Sequence, residues 1–323
     1  MTRNSPLIST AAALLRAGRL VAFPTETVYG LGADAANPAA VRRIFEVKGR
    51  PPTNPLIVHV ADDRVARQFA VWDTRAGELA RKFWPGPLTL VLPRHRSIAA
   101  EVSAGLHTVA VRAPDHPVAQ ELLRAFDGPV AAPSANRSTR VSPTTALHVR
   151  AELGDAVDLI LDGGPCTVGI ESTVLDLSEG TQPTILRPGA VTQAEIESVV
   201  GQVSVFAGMV EPNVAAHSPG QHAVHYAPRT PTFRFNPSEH EAYRAKASDE
   251  PIGLIVLGSG ESPRHTGPVV TMPSLPETYA RHLYAVLREL DEMGLRAIYI
   301  ELPPDEPRWL AVRDRLDRAS QPV

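Results

Sequence analysis

Apolar and polar positions along this chain fall into short blocks whose period switches between that of a helix and that of a strand. Residues 8–17 predict an amphipathic helix, and 20–23 a short buried strand. Asn37-Pro38 is a helix start: a side chain able to cap the first free N–H groups, then a proline in the first turn. That helix runs through Val41, Ile44 and Phe45 to about Val47 and delivers Lys48 at its end. Apolar runs at 56–60, 88–92, 109–112, 130–132, 159–161 and 173–177 predict strands, with helices at 75–83, 117–126 and 143–153 among them. Strands and helices that alternate at irregular spacing predict an α/β fold on a twisted, mixed sheet, with no internal repeat.

The first pattern closes near Val200, which sets a first domain at 1–200. Residues 201–231 lack periodicity, are rich in Gly, Pro and His, and predict a linker. A second α/β pattern occupies 232–323, with strands at 252–257 and 297–302 and helices at 276–293 and 306–318.

Composition narrows the function classes. Of 323 residues, 43% are hydrophobic and 21% charged, enough for a sizeable core. The net charge of -3 provides no global basic field for nucleic acid, although a local patch remains open. One cysteine, Cys166, excludes an intramolecular disulfide and a cysteine-based metal cluster, which suits a reducing cytoplasm. Residues 1–23 are interrupted by Arg3, Arg16 and Arg19 and do not predict a signal peptide. No apolar run approaches the roughly 20 residues of a membrane span. Lysine is rare, occurring only at Lys48, Lys82 and Lys246, so each is a candidate for a place where a compact ammonium is wanted.

Several segments carry candidate chemistry. Pro24-Thr25-Glu26-Thr27-Val28-Tyr29-Gly30-Leu31-Gly32 leaves a strand and suits either a ligand loop or an ordinary turn. Lys48-Gly49-Arg50-Pro51-Pro52-Thr53-Asn54-Pro55 sets two cations around a glycine and stiffens the adjoining loop with prolines, which suits a polyphosphate or carboxylate site more than the charged surface loop that is its alternative. Arg112 ends an apolar strand, where a core salt bridge and a substrate clamp both fit. Pro133-Ser134-Ala135-Asn136 projects two polar side chains from a strand exit, and Ser142 could cap the helix begun at Pro143. The glycine-rich stretch 163–173 lacks P-loop spacing. Cys166 has no evident base and is better taken as a small hydrophobe than as a nucleophile. His217, His222 and His225 lie without a nearby carboxylate pair, which makes them a poor metal site. Gly258-Ser259-Gly260 fails the dinucleotide fingerprint because Pro263 stands where a glycine is required.

Taken in order, the segments at 24–32, 48–56 and 83–89, with Val111-Arg112-Ala113-Pro114, Pro133-Ser134-Ala135-Asn136, Glu171-Ser172-Thr173-Val174 and Leu186-Arg187-Pro188-Gly189, closely resemble the YrdC-type family of L-threonylcarbamoyladenylate synthases. The resemblance covers about residues 5–200. Ser218-Pro219-Gly220, His225-Tyr226-Ala227-Pro228 and the C-terminal α/β pattern resemble its two-domain long form, although Gln221 stands where many relatives have Met.

This resemblance implies a YrdC-like twisted sheet with a positively charged concave face, and a smaller Rossmann-like second domain. It implies that L-threonine, bicarbonate and ATP are converted to threonylcarbamoyl-AMP and pyrophosphate, with Mg2+ accompanying ATP and no protein metal site. The product would pass to machinery that modifies adenosine beside the tRNA anticodon. Lys48, Arg50, Ser134 and Asn136 match the catalytic set of the pocket. Thr27, His59, Arg112 and Ser172 match the threonine site. Arg50, Asn54, Thr108, Ser134, Ser142, Arg187 and Tyr226 match the ATP site, with the 201–231 linker acting as a lid that carries Tyr226. The rival reading is an RNA-binding module that uses the same basic face. Direct tRNA binding is not required by the reaction.

Overall fold

The computed structural model describes residues 5–178, 182–206, 208, 218, 225–239, 251–258 and 267–323. His217, Pro219, Gly220, Gln221, His222, Ser259, Gly260 and Pro263, singled out above, lie outside the described residues. The chain divides into two compact units. One is Met1–Ser138 with Ser142–Ala223; the other is Thr139–Val141 with Val224–Val323.

In the first unit the chain runs α1 (Ser5–Arg16), β1 (Val21–Phe23), β2 (Gly30–Asp34), α2 (Pro38–Lys48), β3 (Ile57–His59), α3 (Asp63–Ala66), α4 (Thr74–Phe83), β4 (Leu88–Pro93) and β5 (Thr108–Arg112). It continues through α5 (Pro117–Phe126), β6 (Val130–Ala131), α6 (Ala146–Leu153), β7 (Leu159–Ile160), β8 (Thr173–Asp176), β9 (Thr184–Arg187), α7 (Gln193–Val200) and β10 (Ser204–Val205). Among the described residues the sheet order is β10-β9-β8-β4-β5-β3-β6-β2-β1-β7. The sheet is mixed, as the irregular spacing predicts: β3 and β5 are parallel, while β4 and β5 are antiparallel.

The strands split their side chains between two faces, as period-two geometry demands. Ala22, Val58, Leu90, Val109, Val111 and Leu175 point into the main core with residues of α2, α4, α6 and α7. Val21, Phe23 and Val130 point the other way, into a cluster with α1 and α5. Farther along that second face, on β3, β5, β4 and β8, Ile57, Ala110, Val91 and Val174 form a small apolar floor with Leu186. His59, Arg112, Thr108 and Thr89 are spaced two residues from members of that floor, so they share its face.

The stretch 24–32, read as one loop, contains a strand from Gly30. Its small residues give no apolar signal. Gly32 is required there because a Cβ would lie 2.9 Å from the Phe23 ring and 3.1 Å from the Val21 carbonyl. β9 and α7 likewise go beyond the predicted elements; α7 is set by a capping box between Thr192 and Glu195.

The second unit contains β11 (Thr232–Phe235), β12 (Ile252–Leu257), β13 (Val269–Met272), α8 (Pro276–Glu292), β14 (Ala297–Glu301), α9 (Leu310–Ala319) and β15 (Gln321–Pro322). Every pair in its sheet, ordered β13-β12-β14-β11-β15, is parallel. Such sheets are buried on both faces. α8 covers one of them with Tyr279, Ala280, Leu283, Tyr284, Leu287 and Leu290, which follow helical spacing. Thr139–Val141 joins this unit through a bridge from Arg140 to Ala227 and a hydrogen bond from the Ala227 N–H to the Thr139 carbonyl.

Candidate active site

α2 is built to end where it does. Asn37 caps its start by accepting from the N–H groups of Ala39 and Ala40. Gly49 closes it in the left-handed conformation, φ +61°, and returns its N–H to the carbonyls of Phe45 and Glu46. This glycine sends Lys48 and Arg50 off the last turn of one helix into the buried interior of the unit, 2% and 6% exposed.

The Lys48 ammonium donates to the Ser134 carbonyl at 2.6 Å and to that of Asn136, while the Ser138 N–H donates to the Lys48 carbonyl at 2.8 Å. The two polar segments picked out in the sequence are therefore tied into one structure. The tie differs from the expected one: the ammonium holds backbone oxygens of the 134–136 turn. Burial, with the Arg50 guanidinium adding, holds the Lys48 ammonium well below its usual pKa, while Glu152 and Glu171 act in the opposite sense. Arg50 turns back on its own loop, donating to the Asn54 carbonyl at 3.0 Å, the Asn54 Oδ1 at 2.6 Å and the Pro55 carbonyl at 2.8 Å.

A second group gathers at the end of β5. The register sets His59 opposite Arg112. Arg112 makes a core salt bridge, one of the two roles that fit it in the sequence: one of its terminal nitrogens lies 2.6 Å from the Glu26 carboxylate. Its other terminal nitrogen donates to the Thr27 hydroxyl at 2.8 Å, and its Nε to the Gly86 carbonyl at 3.1 Å. Thr25 fixes this turn, bonding the Thr27 hydroxyl at 2.8 Å and the Val28 carbonyl at 2.7 Å. Tyr29 is structural: its hydroxyl donates to the Gly164 carbonyl at 2.7 Å from a fully buried ring.

Burial, aided by Arg112, lowers the His59 imidazole to about 3, so it is neutral at physiological pH. The unfolded chain takes up a proton here between about pH 6.5 and pH 3 that the folded chain refuses, so stability falls as pH drops through that window. At about 1.4 kcal/mol per unit, the full effect is several kcal/mol. His59→Gln, which cannot titrate, is expected to flatten this part of the acid-unfolding curve. Urea midpoints compared at about pH 7, 5.5 and 4 check it; parallel curves for the two proteins would contradict it.

Ser172 joins the third group. Its hydroxyl contacts Thr89 Oγ1 at 2.8 Å, and Arg187 donates to its carbonyl from Nε at 3.2 Å and from a terminal nitrogen at 3.0 Å. Ser142 is fully buried and donates to Glu171 at 2.5 Å. The helix cap belongs to Thr145, which accepts from the His148 N–H, so the capping role considered for Ser142 is corrected.

Through Lys48, Glu171, Ser172 and Arg187 on one side and Arg112, Thr27 and His59 on the other, most of the expected residues lie within one unit. Ser134 is half-buried on the turn that Lys48 holds. Thr108 is buried at the far end of β5, on the same face as Arg112. Tyr226 belongs to the second unit, stacked on Tyr284 with the Arg315 guanidinium 5.3 Å from its ring and its φ at +63°. Glu26, Glu171 and Thr89 escape a reading from sequence, because their significance lies in long-range partners.

Cys166 is buried, and burial pushes its thiol up to about 12, with Glu26 contributing. A thiol so protonated is a poor nucleophile. The native protein is expected to resist aromatic disulfide reagents at about pH 8, and Cys166→Ala to keep turnover within about twofold. Rapid labelling, or loss of turnover, would reverse that assignment. Among the described residues, no group of three His, Cys, Asp or Glu side chains could hold a metal ion, and no helix is long and apolar enough to cross a membrane.

Buried cations and hydroxyls gather on a mixed sheet, and a parallel α/β unit follows in the chain. Residues 13–189 match the Sua5, YciO and YrdC family model, described as telomere recombination. Residues 191–321 match the threonylcarbamoyl-AMP synthase C-terminal domain. The threonylcarbamoyl-AMP synthase of Bacillus subtilis is 41% identical, over 99% of this chain and 94% of its own, and that of Pyrococcus abyssi is also 41% identical, over 97% and 94%. The solved structure of P. abyssi Sua5 complexed with L-threonine is 39% identical, with a TM-score of 0.88 over 98% of this chain and 96% of that one. The chain belongs to the threonylcarbamoyl-AMP synthase family.

Proposed function

We propose that this protein makes L-threonylcarbamoyl-AMP and pyrophosphate from L-threonine, bicarbonate and ATP, for the modification of adenosine beside the tRNA anticodon. The observation that carries the reading is the buried group of Arg112, Thr27 and His59 in the same unit as Lys48, Arg50 and Arg187. Arg112 would take the threonine carboxylate, while Thr27, neutral His59 and Ser172 would fix its polar groups. The threonine amine, once it has lost its extra proton, attacks bicarbonate with loss of water, or CO2 with loss of a proton, and the resulting N-carboxylate attacks the α-phosphorus and expels pyrophosphate. Anions must converge for this, and prearranged cations and donors offset their repulsion.

In this reading Arg50, Asn54, Thr108, Ser134, Ser142 and Arg187 bind ATP, and Lys48 shapes the turn carrying Ser134 and Asn136. Residues 1–200 form the catalytic domain, 201–231 a lid whose Tyr226 reaches the nucleotide, and 232–323 the second domain. Glu26 and Glu171 already hold protein partners, so Mg2+ would enter with ATP, bound chiefly through phosphate and water. The product would be consumed by a cytoplasmic tRNA-modifying partner. The RNA-binding alternative predicts salt-sensitive RNA binding that is lost uniformly on removing Lys48, Arg50 or Arg112, where the enzyme predicts threonine-dependent ATP turnover.

The test is to incubate the protein with ATP, Mg2+, bicarbonate and L-threonine and to trap the adenylate for mass spectrometry. Threonine-dependent adenylate and pyrophosphate are expected. A folded protein that yields neither would defeat the reading.

A further inference from the structure

The Glu26–Arg112 pair has a charge consequence. Both side chains are buried, 6% and 4% exposed, and the carboxylate lies 2.6 Å from the guanidinium. An arginine has five N–H groups. Hydrogen bonds to the Gly86 carbonyl and the Thr27 hydroxyl hold two of its nitrogens and fix the plane of the guanidinium, and the third nitrogen lies 2.6 Å from the Glu26 carboxylate as an ion pair without a hydrogen bond. A guanidinium buried alone would attract any small anion strongly, because nearby water is excluded. Paired with Glu26 it is electrically neutral as a unit, yet it keeps N–H groups that can meet a carboxylate.

Resting on the threonine-site reading above, we infer that Glu26 is the positioning and specificity residue of that site. It orients Arg112, and it cancels the charge of Arg112 so that the site accepts a zwitterionic amino acid and rejects simple carboxylates. A zwitterion brings no net charge into the neutral pair. A hydroxy acid brings a net negative charge that nothing there balances, and like charge near buried carboxylates is disfavoured.

The discriminating probe is 3-hydroxybutyrate, which keeps the carboxylate and hydroxyl of threonine and lacks its ammonium. Calorimetry on the wild-type protein should show L-threonine binding at least about thirtyfold tighter than 3-hydroxybutyrate, a factor of ten being 1.4 kcal/mol. Equal affinities would overturn the inference without any variant. In Glu26→Gln, the KM for threonine should rise about tenfold or more, while inhibition by 3-hydroxybutyrate strengthens and the KM for ATP stays unchanged. Glu26→Asp, which keeps the charge, should restore most of the discrimination. A purely structural role would weaken both ligands together in Glu26→Gln, and that outcome, like no change in either, rejects the proposal. If Glu26→Gln does not fold, the wild-type ratio and Glu26→Asp decide alone: a ratio lost in Glu26→Asp while both affinities fall alike also rejects it. The wild-type adenylate assay keeps failure of this inference apart from failure of the reaction itself.

Discussion

Arg112→Ala is expected to lower kcat/KM for threonine by about a hundredfold to a thousandfold, as loss of a desolvated charged partner does. The KM for ATP should stay within about threefold of wild type, since the loss is confined to one ligand. The same change removes the ion-pair partner of Glu26 and leaves a buried carboxylate uncompensated. Stability should therefore fall by about 3–5 kcal/mol, the cost of breaking a buried pair from one side. Thr27 and the Gly86 carbonyl each lose a hydrogen bond as well. Urea unfolding combined with steady-state kinetics separates the two effects. The double change Arg112→Ala with Glu26→Ala should recover much of the stability and none of the activity, because it removes the stranded charge and leaves the substrate carboxylate without its partner. A double variant no more stable than the single one would mean that the cost lies in lost packing.

Lys48→Met should behave in the opposite way. The methionine keeps the length of the side chain but cannot donate to the Ser134 and Asn136 carbonyls. The 134–138 turn loses its anchor, and displacing reacting groups by about an ångström costs on the order of a hundredfold in turnover. Stability should change by no more than about 1–2 kcal/mol, because burying the ammonium was itself expensive, and apolar replacements of buried charges are often neutral. A melting temperature near that of wild type beside a collapsed kcat is the expected signature. Comparable losses in both would show that Lys48 serves the fold alone.

What could be read from the sequence was what neighbouring residues decide among themselves. The helix ending at Lys48 is specified by Asn37, Pro38 and Gly49, all at its own two ends, and it forms where expected. Strands with strong apolar runs, such as the one ending at Arg112, also carry their own signal. β2 does not, because Gly30 and Gly32 are there to admit neighbouring groups and contribute no side chain to an apolar pattern. The site divides along the same line. Lys48, Arg50 and Arg112 stand out as cations at element ends, so composition and position find them. Their partners are another matter: Glu26 meets Arg112, and Glu171 meets Ser142, only after the sheet sets its register. The salt-bridge partner of Arg112 is therefore hidden until the fold is known. For Lys48 the local pattern marks a cation at a helix end, and nothing in its neighbourhood indicates that its ammonium turns to the carbonyl oxygens of residues 134 and 136.

The three residues Thr139–Val141 count with the second unit although chain of the first unit lies on either side of them. Made on a ribosome, that short stretch emerges well before Ala227, its bridge partner. At about 5–20 residues per second, its bridge partner follows several seconds later. The second unit thus needs a piece of chain made earlier. No single cut in the gene separates the two: a fragment that stops at residue 200 strands a splinter of the missing half, and a fragment that starts at 224 lacks it.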